Sequence, residues 1–539
     1  MDIGTYKSRN NSITFSSNTK PFQNSHFNNN TTFPNNDNIE TSSNSSLQNS
    51  STNYTFENGV FEKQKGLSWP ITGLFVVGDM AGGGLVALPT AIVQLGIGFG
   101  IGISLIMNLL TMLTSLMLGA SWNILIRRWP EYRSHCRKPY PEMAYRAIGP
   151  FYKTIVSLCI DLTQFGIAVV YLLLSAKNIH DAIKSFSNAD ISFCYVIIIV
   201  AACLLPALFL KSPQDFWGAV VLAMFTTAAA IILILIGSAS DYAICHQSHH
   251  LPDFKLTNYF LGLGTLIASY GGHSAFPTIQ HDMKKPTDFY KSTFLAFSIL
   301  FCMYTPVSLM GFLTYGDALR ESVINSIQIQ WIQQAVNLLI TIHCILTLTI
   351  VLNPLNQDIE DLLNVPHEFG IKRVLVRTGT MICVTFLAES VPNFGPMLDL
   401  MGGTTLALTC LILPPLFYVF LFAGEKRAER LKLSRGGFSD ETDNEHLTFG
   451  QMFQEIPKYI FIICVIIAAI GAIGGAAATY SAIKELSTTQ FKVPCYIQPF
   501  VSSDDSEGNT TSTNCCGRYQ NLTTHDDVTC SSAKLDFYG

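Results

Sequence analysis

The chain has 539 residues, of which 49% are hydrophobic and only 13% are charged. An ordinary soluble domain carries about 25% charged residues, and the mean hydropathy of this chain is +0.32. This composition excludes an ordinary soluble enzyme, and the modest net charge of −5 gives no indication of a nucleic-acid partner. We therefore expect an all-α membrane protein.

Three regions follow one another along the chain. Residues 1–65 are polar and rich in Asn, Ser and Thr, so we expect a disordered N-terminal tail. Residues 66–483 hold apolar segments long enough to cross a hydrocarbon core of roughly 30 Å. They predict eleven transmembrane helices, at 69–95, 98–121, 151–176, 191–210, 215–237, 257–279, 290–315, 331–353, 371–391, 394–422 and 456–482. The pair Pro414-Pro415 predicts a kink or interruption in the tenth.

The distribution of Lys and Arg over the loops predicts how the chain is oriented in the membrane. Most Lys and Arg residues lie in loops that are cytoplasmic if the N-terminal tail is cytoplasmic, as the positive-inside rule requires. The C-terminal tail, 484–539, is then extracellular or luminal. It contains four cysteines, as an oxidising compartment permits, and two N-x-[ST] sequons. These possible disulfide and glycosylation residues are Cys495, Cys515, Cys516, Cys530, Asn509 and Asn521.

The first span contains the sequence GDMAGGGLVALP at 78–89. Three adjacent glycines in mid-span weaken a helix, and Pro89 follows them. Non-helical backbone at membrane depth is tolerated only where it is buried in protein or lines a wet cavity. The glycines therefore predict a functional break; the alternative is that small residues let two helices pack closely.

The sixth span, LGTLIASYGGHSAFPTIQHDM, repeats this arrangement. Gly271 and Gly272 lie in mid-span, followed by His273 and then Pro277. Interrupted helices at corresponding places in two halves of a chain indicate a transporter binding site. We expect two five-helix repeats, spans 1–5 and 6–10, with an eleventh helix appended. Because five is odd, the second repeat enters the membrane from the opposite side.

The two breaks suggest which substrate they bind. Helix N-terminal ends favour a carboxylate, whereas free carbonyls at C-terminal ends favour an ammonium group. A zwitterionic amino acid presents both groups, so it fits better than a sugar. Substrate is expected to bind at Ala81, Gly82, Gly83, Gly84, Tyr270, Gly271, Gly272 and Phe276. Ordinary packing explains Tyr270 and Phe276 equally well.

Ionisable residues at membrane depth are functional candidates because their burial is costly. Asp79 and His273 flank the breaks and are the first candidates for ion coupling. An imidazole titrates near physiological pH, so His273 could carry a proton; a neutral, hydrogen-bonded His273 is the alternative. Asp79 could bind a cation or a proton, or cap a backbone amide. Asp161 and His343 are second choices, and an interhelical hydrogen bond is the preferred interpretation of His343.

The ordered motifs carry a resemblance. They are GGGLVALPTA at 82–91, RKPYPEMAYRAIGP at 137–150, TQFGIAVVYLLLSAKNI at 163–179, YGGHSAFPTIQHDMKKPTDF at 270–289, MGFLTYGD at 310–317, VPNFG at 391–395 and LILPPLFY at 411–418. The set resembles the eukaryotic amino acid/auxin permease family, and its Gly-His-x-x-Phe-Pro form is similar to the vacuolar and vesicular amino acid transporters. The resemblance implies eleven spans, a LeuT-like fold, amino acid substrates and often proton exchange. Gly78 stands where the family often has an Asn.

These observations together predict a secondary active transporter of small or neutral amino acids, working by alternating access with proton coupling. It is not an enzyme, and we expect no cofactor and no metal. The alternatives are a sodium-coupled carrier, an amino acid-sensing receptor that transports little, and a passive channel. The sequence leaves open the oligomeric state and whether the membrane is the plasma membrane or a lysosomal or vesicular one.

Overall fold

The computed structural model describes residues 54–57, 60–134, 136–187, 191–209, 217–246, 255–316, 319–366, 368–434, 446–488 and 494–497. Two short strands, β1 Tyr54–Glu57 and β2 Val60–Lys63, precede the helices. The helices are α1 Trp69–Met80, α2 Gly83–Leu95, α3 Ile97–Arg128, α4 Pro139–Ala147, α5 Pro150–Ser187, α6 Phe193–Leu208, α7 Trp217–Cys245, α8 Leu256–Ser269, α9 Phe276–His281, α10 Phe289–Tyr315, α11 Gln330–Leu362, α12 Ile371–Ser390, α13 Phe394–Met401, α14 Leu413–Ser434, α15 Phe449–Glu455 and α16 Lys458–Thr488.

The predicted all-α membrane class is confirmed. Among the described residues, seven helices are long and apolar enough to cross a membrane, or eight if the bent pair α1–α2 is one span. The three remaining predicted spans are also helical. However, α6 is short, α8–α9 is broken, and α12 contains several charged residues. The count of eleven and the inverted repeat therefore stay predictions.

The outer helix faces are apolar. Large side chains such as Ile198, Phe225, Ile232 and Phe386 are exposed on the surface of the bundle. In water such a surface would aggregate, whereas in a bilayer it contacts lipid tails. The fold therefore presents the surface that a multi-pass membrane protein needs.

Buried ion pairs explain how α12 tolerates its charges. Nε of Arg377 lies 2.6 Å from Oε1 of Glu360 on α11, and Nε of Arg373 lies 3.2 Å from the same oxygen. Nη1 of Arg377 also donates to the carbonyl oxygen of Leu208 at the end of α6. Charged groups at this depth are tolerated because they are paired inside the protein.

The tenth span is continuous, and its hydrogen bonding is irregular just before the two prolines of the predicted kink. It forms one helical stretch over Phe394–Ser434. Two π-helical turns, Gly402–Leu406 and Leu408–Ile412, precede the prolines, and α14 begins at Leu413. Because Pro414 and Pro415 lack N–H donors, the irregular hydrogen bonding falls in the turns before them.

Residues 54–63 correct the prediction of disorder through residue 65. Strands β1 and β2 pair as an antiparallel hairpin with Tyr54 opposite Lys63. The Phe61 ring is buried, with its centroid 5.1 Å from that of Tyr54. Buried apolar surface of this kind stabilises a hairpin that would be marginal alone. Residues 1–53 lie outside the described residues.

The hairpin is held against the segment that follows α9. The backbone N–H of Lys63 donates to Lys284 O at 2.8 Å, and Leu67 N–H donates to Asp282 O at 2.9 Å. Glu62 forms ion pairs with Lys284 and Lys285. The hydrogen bond from Lys285 keeps the pKa of the Glu62 carboxyl below its ordinary value. The chain before α1 is thus joined to the end of the second broken span.

A disulfide joins the C-terminal tail to the bundle. Cys495 bonds to Cys194, at the start of α6 and 301 residues away. Cys495 is among the predicted disulfide residues, whereas its partner Cys194 is not. Cys495 N–H also donates to Glu389 O at the end of α12, at 2.8 Å. The other candidates, Cys515, Cys516, Cys530, Asn509 and Asn521, lie outside the described residues.

Candidate functional site

The first predicted break is present. Helix α1 ends at Met80 and α2 begins at Gly83, with a bend of 62° between them. A Cβ at Gly82 would lie 2.5 Å from Tyr171 Oη, and one at Gly84 would lie 2.6 Å from Ser269 Cα. Distances this short show that glycine is needed for close approach as well as for the break itself.

The second break is longer. Helix α8 ends at Ser269 and α9 begins at Phe276, so residues 270–275 separate them. Gly272 faces the first break across a narrow gap: its Cβ would lie 2.6 Å from Asp79 Oδ2 and 2.8 Å from Met80 Cγ. The glycine thus leaves room for the Asp79 carboxylate between the two broken helices.

One tyrosine hydroxyl contacts both breaks. Tyr304 of α10 is fully buried, and its hydroxyl lies 3.0 Å from Met80 O and 3.1 Å from Ser269 O. These carbonyls belong to the last residues of α1 and α8, where the helical hydrogen-bond pattern stops. Tyr304 therefore connects the two broken ends. The sequence analysis did not identify it.

A cavity of about 120 Å³ lies between the breaks. Five of the predicted residues line it: Asp79, Gly83, Gly84, Gly271 and Gly272. Its apolar wall comes from helices α5, α11 and α13 and the π-helical turn, through Ile167, Val170, Ile350, Val351, Leu398, Met401 and Leu406. Gln164, Tyr171 and Ser274 add polar groups. Gln164 and Tyr171 come from α5 and Ser274 from the second break; all three lie in motifs of the family resemblance but are not among the predicted site residues.

Other predicted residues lie near the cavity without lining it. Ala81 and Gly82 form the turn behind its wall, where Ala81 O accepts a hydrogen bond from Thr227 Oγ1 at 3.3 Å. Tyr270 and Phe276 are buried in the core. Tyr270 Oη lies 3.2 Å from Ser104 Oγ on α3. Packing accounts for both aromatic residues, as the alternative interpretation stated.

Asp79 is an unpaired carboxylate at the cavity. Within the part of the chain that the structure describes, no cation and no hydrogen-bond donor contacts its side chain. Its oxygen Oδ2 faces Gly272. An anionic group left without a partner in low-dielectric surroundings is strongly unfavourable, so it attracts a proton or a cationic ligand.

His273 lies outside the cavity, packed on α3. Its Nε2 is 2.9 Å from Thr114 Oγ1 and 3.0 Å from Thr111 O. Because a carbonyl can only accept, Nε2 carries the hydrogen and Nδ1 is unprotonated. Among the described residues Nδ1 has no hydrogen-bond partner, and the ring centroid lies 4.8 Å from that of Phe276.

The two second-choice ionisable residues, Asp161 and His343, lie in different surroundings. Asp161, on α5, lies beside the Asp358 carboxylate of α11, and Asp358 is paired with Lys138 at 2.8 Å. His343, on α11, is fully buried directly behind the first break. A Cβ at Gly82 would lie 2.8 Å from His343 Nε2. The structure thus places the second-choice histidine at the break and the first-choice histidine away from the cavity.

Comparison with known proteins now identifies the family. The profile of the family described as "Transmembrane amino acid transporter protein" matches residues 65–434, which is more than half of the chain. The chain belongs to this family. The resemblance to amino acid/auxin permeases is thereby confirmed.

Relatives in plants are similar over much of the chain. The Arabidopsis thaliana amino acid transporter AVT1B is 22% identical over 64% of this chain and 60% of its own length. AVT1H from the same organism is 25% identical over 64% of this chain and 79% of its own length. Auxin transporter-like protein 3 of Medicago truncatula is 27% identical over 54% and 62%. All three are named as transporters, which agrees with the prediction that the chain is not an enzyme.

Among solved structures, the chain is similar to MhsT in complex with L-phenylalanine. The TM-score is 0.46 and the sequence identity 10%, covering 78% of this chain and 99% of that one. At this distance the match assigns no ligand and no coupling ion to the chain.

Proposed function

We propose that the chain is a secondary active transporter that moves small or neutral amino acids by alternating access through the cavity between the two breaks. The observation that carries the proposal is the unpaired Asp79 carboxylate facing a cavity bounded by two broken helices. Such breaks at membrane depth are how transporters expose backbone groups to a polar substrate.

The cavity offers complementary groups for a zwitterion. Asp79 supplies a negative charge for the substrate ammonium group. Gly83 and Gly84 lie in the first turn of α2, where amide N–H groups without an intrahelical acceptor and the helix dipole favour the substrate carboxylate, and where the Gly83 amide contacts the Tyr171 hydroxyl. Both ends of an α-amino acid are therefore recognised within one cavity.

The remaining wall selects the side chain. Of the described residues that line the cavity, Asp79 is the one that carries a charge, and the wall opposite is aliphatic. A lysine or glutamate side chain would be buried there without a partner, which costs several kcal/mol. Apolar cavities of about 150 Å³ hold benzene, so 120 Å³ suits a small or medium-sized amino acid. We infer a preference for neutral substrates with aliphatic side chains.

Proton coupling is part of the proposal. Asp79 faces the cavity and can hold a proton when no ammonium group is bound. His273, the other coupling residue proposed from sequence, reaches α3 through Thr111 and Thr114. Sodium coupling is the competing possibility for the same cavity.

The proposed orientation places the N-terminus in the cytoplasm and the C-terminus outside or in a lumen. The Cys194–Cys495 bond supports it, because both cysteines then lie on the same oxidising side. The chain is an integral, multi-pass membrane protein. A plasma membrane or a lysosomal or vesicular membrane would suit this arrangement.

Uptake by the purified full chain in proteoliposomes tests the function. We expect saturable accumulation of neutral amino acids under a pH gradient, with competition by aliphatic ones and none by lysine or glutamate. Parallel samples with a Na⁺ gradient, or with no gradient, separate sodium coupling from proton coupling. Saturable binding without accumulation under either gradient would indicate a receptor, and flux without saturation would indicate a channel.

A further inference from the structure

We propose that His343 is a positioning residue that couples a proton to the first break, an inference that rests on the proposed transport function. His343 comes from α11, far from the break in sequence, yet both of its ring nitrogens face groups at the break or groups bonded to it. Its protonation would therefore be coupled directly to the backbone that bounds the substrate cavity.

The first ring nitrogen is linked to the break by one hydroxyl. Nδ1 of His343 lies 3.1 Å from Ala223 O and 2.8 Å from Thr227 Oγ1. Thr227 Oγ1 in turn lies 2.9 Å from Ala223 O and 3.3 Å from Ala81 O, which is in the break itself, so its one hydrogen is shared between the two carbonyls. A carbonyl only accepts, so Nδ1 carries the hydrogen that it donates to Ala223 O. The neutral ring then leaves Nε2 with a lone pair.

The second ring nitrogen can hold a proton in good geometry. Nε2 of His343 faces Gly82 and lies 3.3 Å from Thr347 Oγ1. A hydroxyl both donates and accepts, so Thr347 can donate to the neutral ring and accept from the protonated one. Both protonation states of His343 are therefore hydrogen-bonded.

His273 lacks this property. Its Nε2–H is fixed by Thr111 O, and its Nδ1 has no partner among the described residues. A second proton there would point into surroundings that include the Phe276 ring and offer no described acceptor. Because a buried charged donor without an acceptor is costly, the geometry favours a neutral, structural His273.

A positive charge on His343 would act electrostatically on the substrate across the first break. Tyr171 of α5 lines the cavity, and its ring centroid lies 6.3 Å from that of His343. Asp79 of α1 and Cys344 of α11 are the titratable groups described around Tyr171, while α7 contributes Thr227 and Ala223 to the surroundings of His343, and neither of these titrates. A protonated His343 adds positive charge behind the first turn of α2, where we place the substrate carboxylate.

This arrangement fixes the sign of the coupling. Protonation of His343 favours the substrate carboxylate, and by linkage the bound substrate raises the proton affinity of His343. The apparent KM of the wild type should therefore rise as the pH increases and His343 loses its proton. Coupling energies between sites typically correspond to about 5- to 150-fold changes in affinity, so we expect a rise of about tenfold.

Two matched substitutions test the inference. His343→Asn keeps an amide donor near the Nδ1 position, and His273→Gln keeps one near the Nε2 position. The KM for L-leucine is measured from about pH 4 to pH 8 by counterflow in proteoliposomes, because burial shifts the titration of a histidine towards lower pH. We expect His343→Asn to keep exchange but to lose the pH slope and proton-driven accumulation, and His273→Gln to retain both. A wild-type slope in His343→Asn, or an opposite slope in the wild type, would overturn the inference.

A second pair of variants covers the case in which His343→Asn fails to fold. Thr347→Val removes the hydroxyl that serves both protonation states, and Thr347→Ser restores it. We expect the slope to flatten in the first and return in the second; an unchanged slope in Thr347→Val contradicts the proposal. A wild type without saturable flux would refute the transport function, whereas wild-type flux with an unaltered slope in these variants refutes only the role of His343.

Discussion

The two breaks share a sequence plan but not an environment. The first interrupts the chain over only Ala81 and Gly82, and polar side chains of α5, α7 and α11 converge on it. The second break covers residues 270–275 and is hydrogen-bonded to α3 through the side chains of His273 and Tyr270. A glycine cluster with an adjacent ionisable residue thus locates a break, while the neighbouring helices decide which hydrogen-bond partners each break has.

The largest effect is expected from adding a methyl group to the first break. A Cβ at Gly84 would meet Ser269 backbone at 2.6 Å, whereas one at Gly83 would meet side chains at 3.5 Å or more. Overpacking costs about 1–3 kcal/mol, more when backbone must move. Gly84→Ala should lower uptake by at least about tenfold, and Gly83→Ala should remain close to wild type. Equal uptake by the two variants would show that α2 and α8 do not need this contact.

The next largest effect should come from the charge between the breaks. Asp79→Asn removes the negative charge while keeping the shape of the side chain. A hydrogen bond to a charged group contributes about 1.5–3 kcal/mol, and each 1.4 kcal/mol is about tenfold. We expect the KM for neutral amino acids to rise about 10- to 100-fold, measured by initial uptake rates. Asp79→Glu serves as the control that retains charge, and an unchanged KM in Asp79→Asn would remove Asp79 from the substrate site.

A smaller effect, on turnover, is expected from removing the Tyr304 hydroxyl that contacts both breaks. Tyr304→Phe deletes the hydroxyl that contacts Met80 O and Ser269 O, whereas Tyr270→Phe deletes one whose hydrogen-bond partner among the described residues is Ser104. A neutral hydrogen bond contributes about 0.5–1.5 kcal/mol. Turnover should fall several-fold in Tyr304→Phe and less in Tyr270→Phe. If the two variants have the same turnover, the breaks do not act as a joined pair.

The smallest effect on transport should follow from removing the disulfide that joins the C-terminal tail to the helix bundle. The Cys194–Cys495 bond lies outside both breaks. A disulfide typically stabilises a fold by about 2–4 kcal/mol, so Cys495→Ser should lower the melting temperature measured in detergent. The KM should stay at the wild-type value. A changed KM would mean that the tail affects the substrate site. Substrate binding would then depend on the tail as well as on the two breaks.

Local sequence signals predicted much of this fold. Apolar segments gave the membrane class, and Gly82–Gly84 with Gly271 and Gly272 located both breaks. The N-terminal hairpin was missed, although Asn58-Gly59 between aromatic residues is a hairpin signal. The polar composition of residues 1–65 led to a prediction of disorder in spite of that hairpin signal.

Contacts between residues far apart in sequence could not be predicted. Tyr304, Tyr171 and Thr227 meet the breaks because their helices pack there. Tyr171 lies in a motif of the family resemblance, but that motif does not predict which break the residue contacts. The same holds for the partner of Cys495. The two histidines show the limit most clearly: both lie in apolar spans, and only the positions of neighbouring hydroxyls and carbonyls distinguish His343 from His273.

A cryo-EM structure of the full chain in lipid nanodiscs with saturating L-leucine tests the central claim most directly. We predict ligand density in the cavity between the breaks, with its ammonium group within hydrogen-bonding distance of Asp79 and its carboxylate at the amides of Gly83 and Gly84. Ligand density outside this cavity, or an ammonium group that points away from Asp79, would contradict the account.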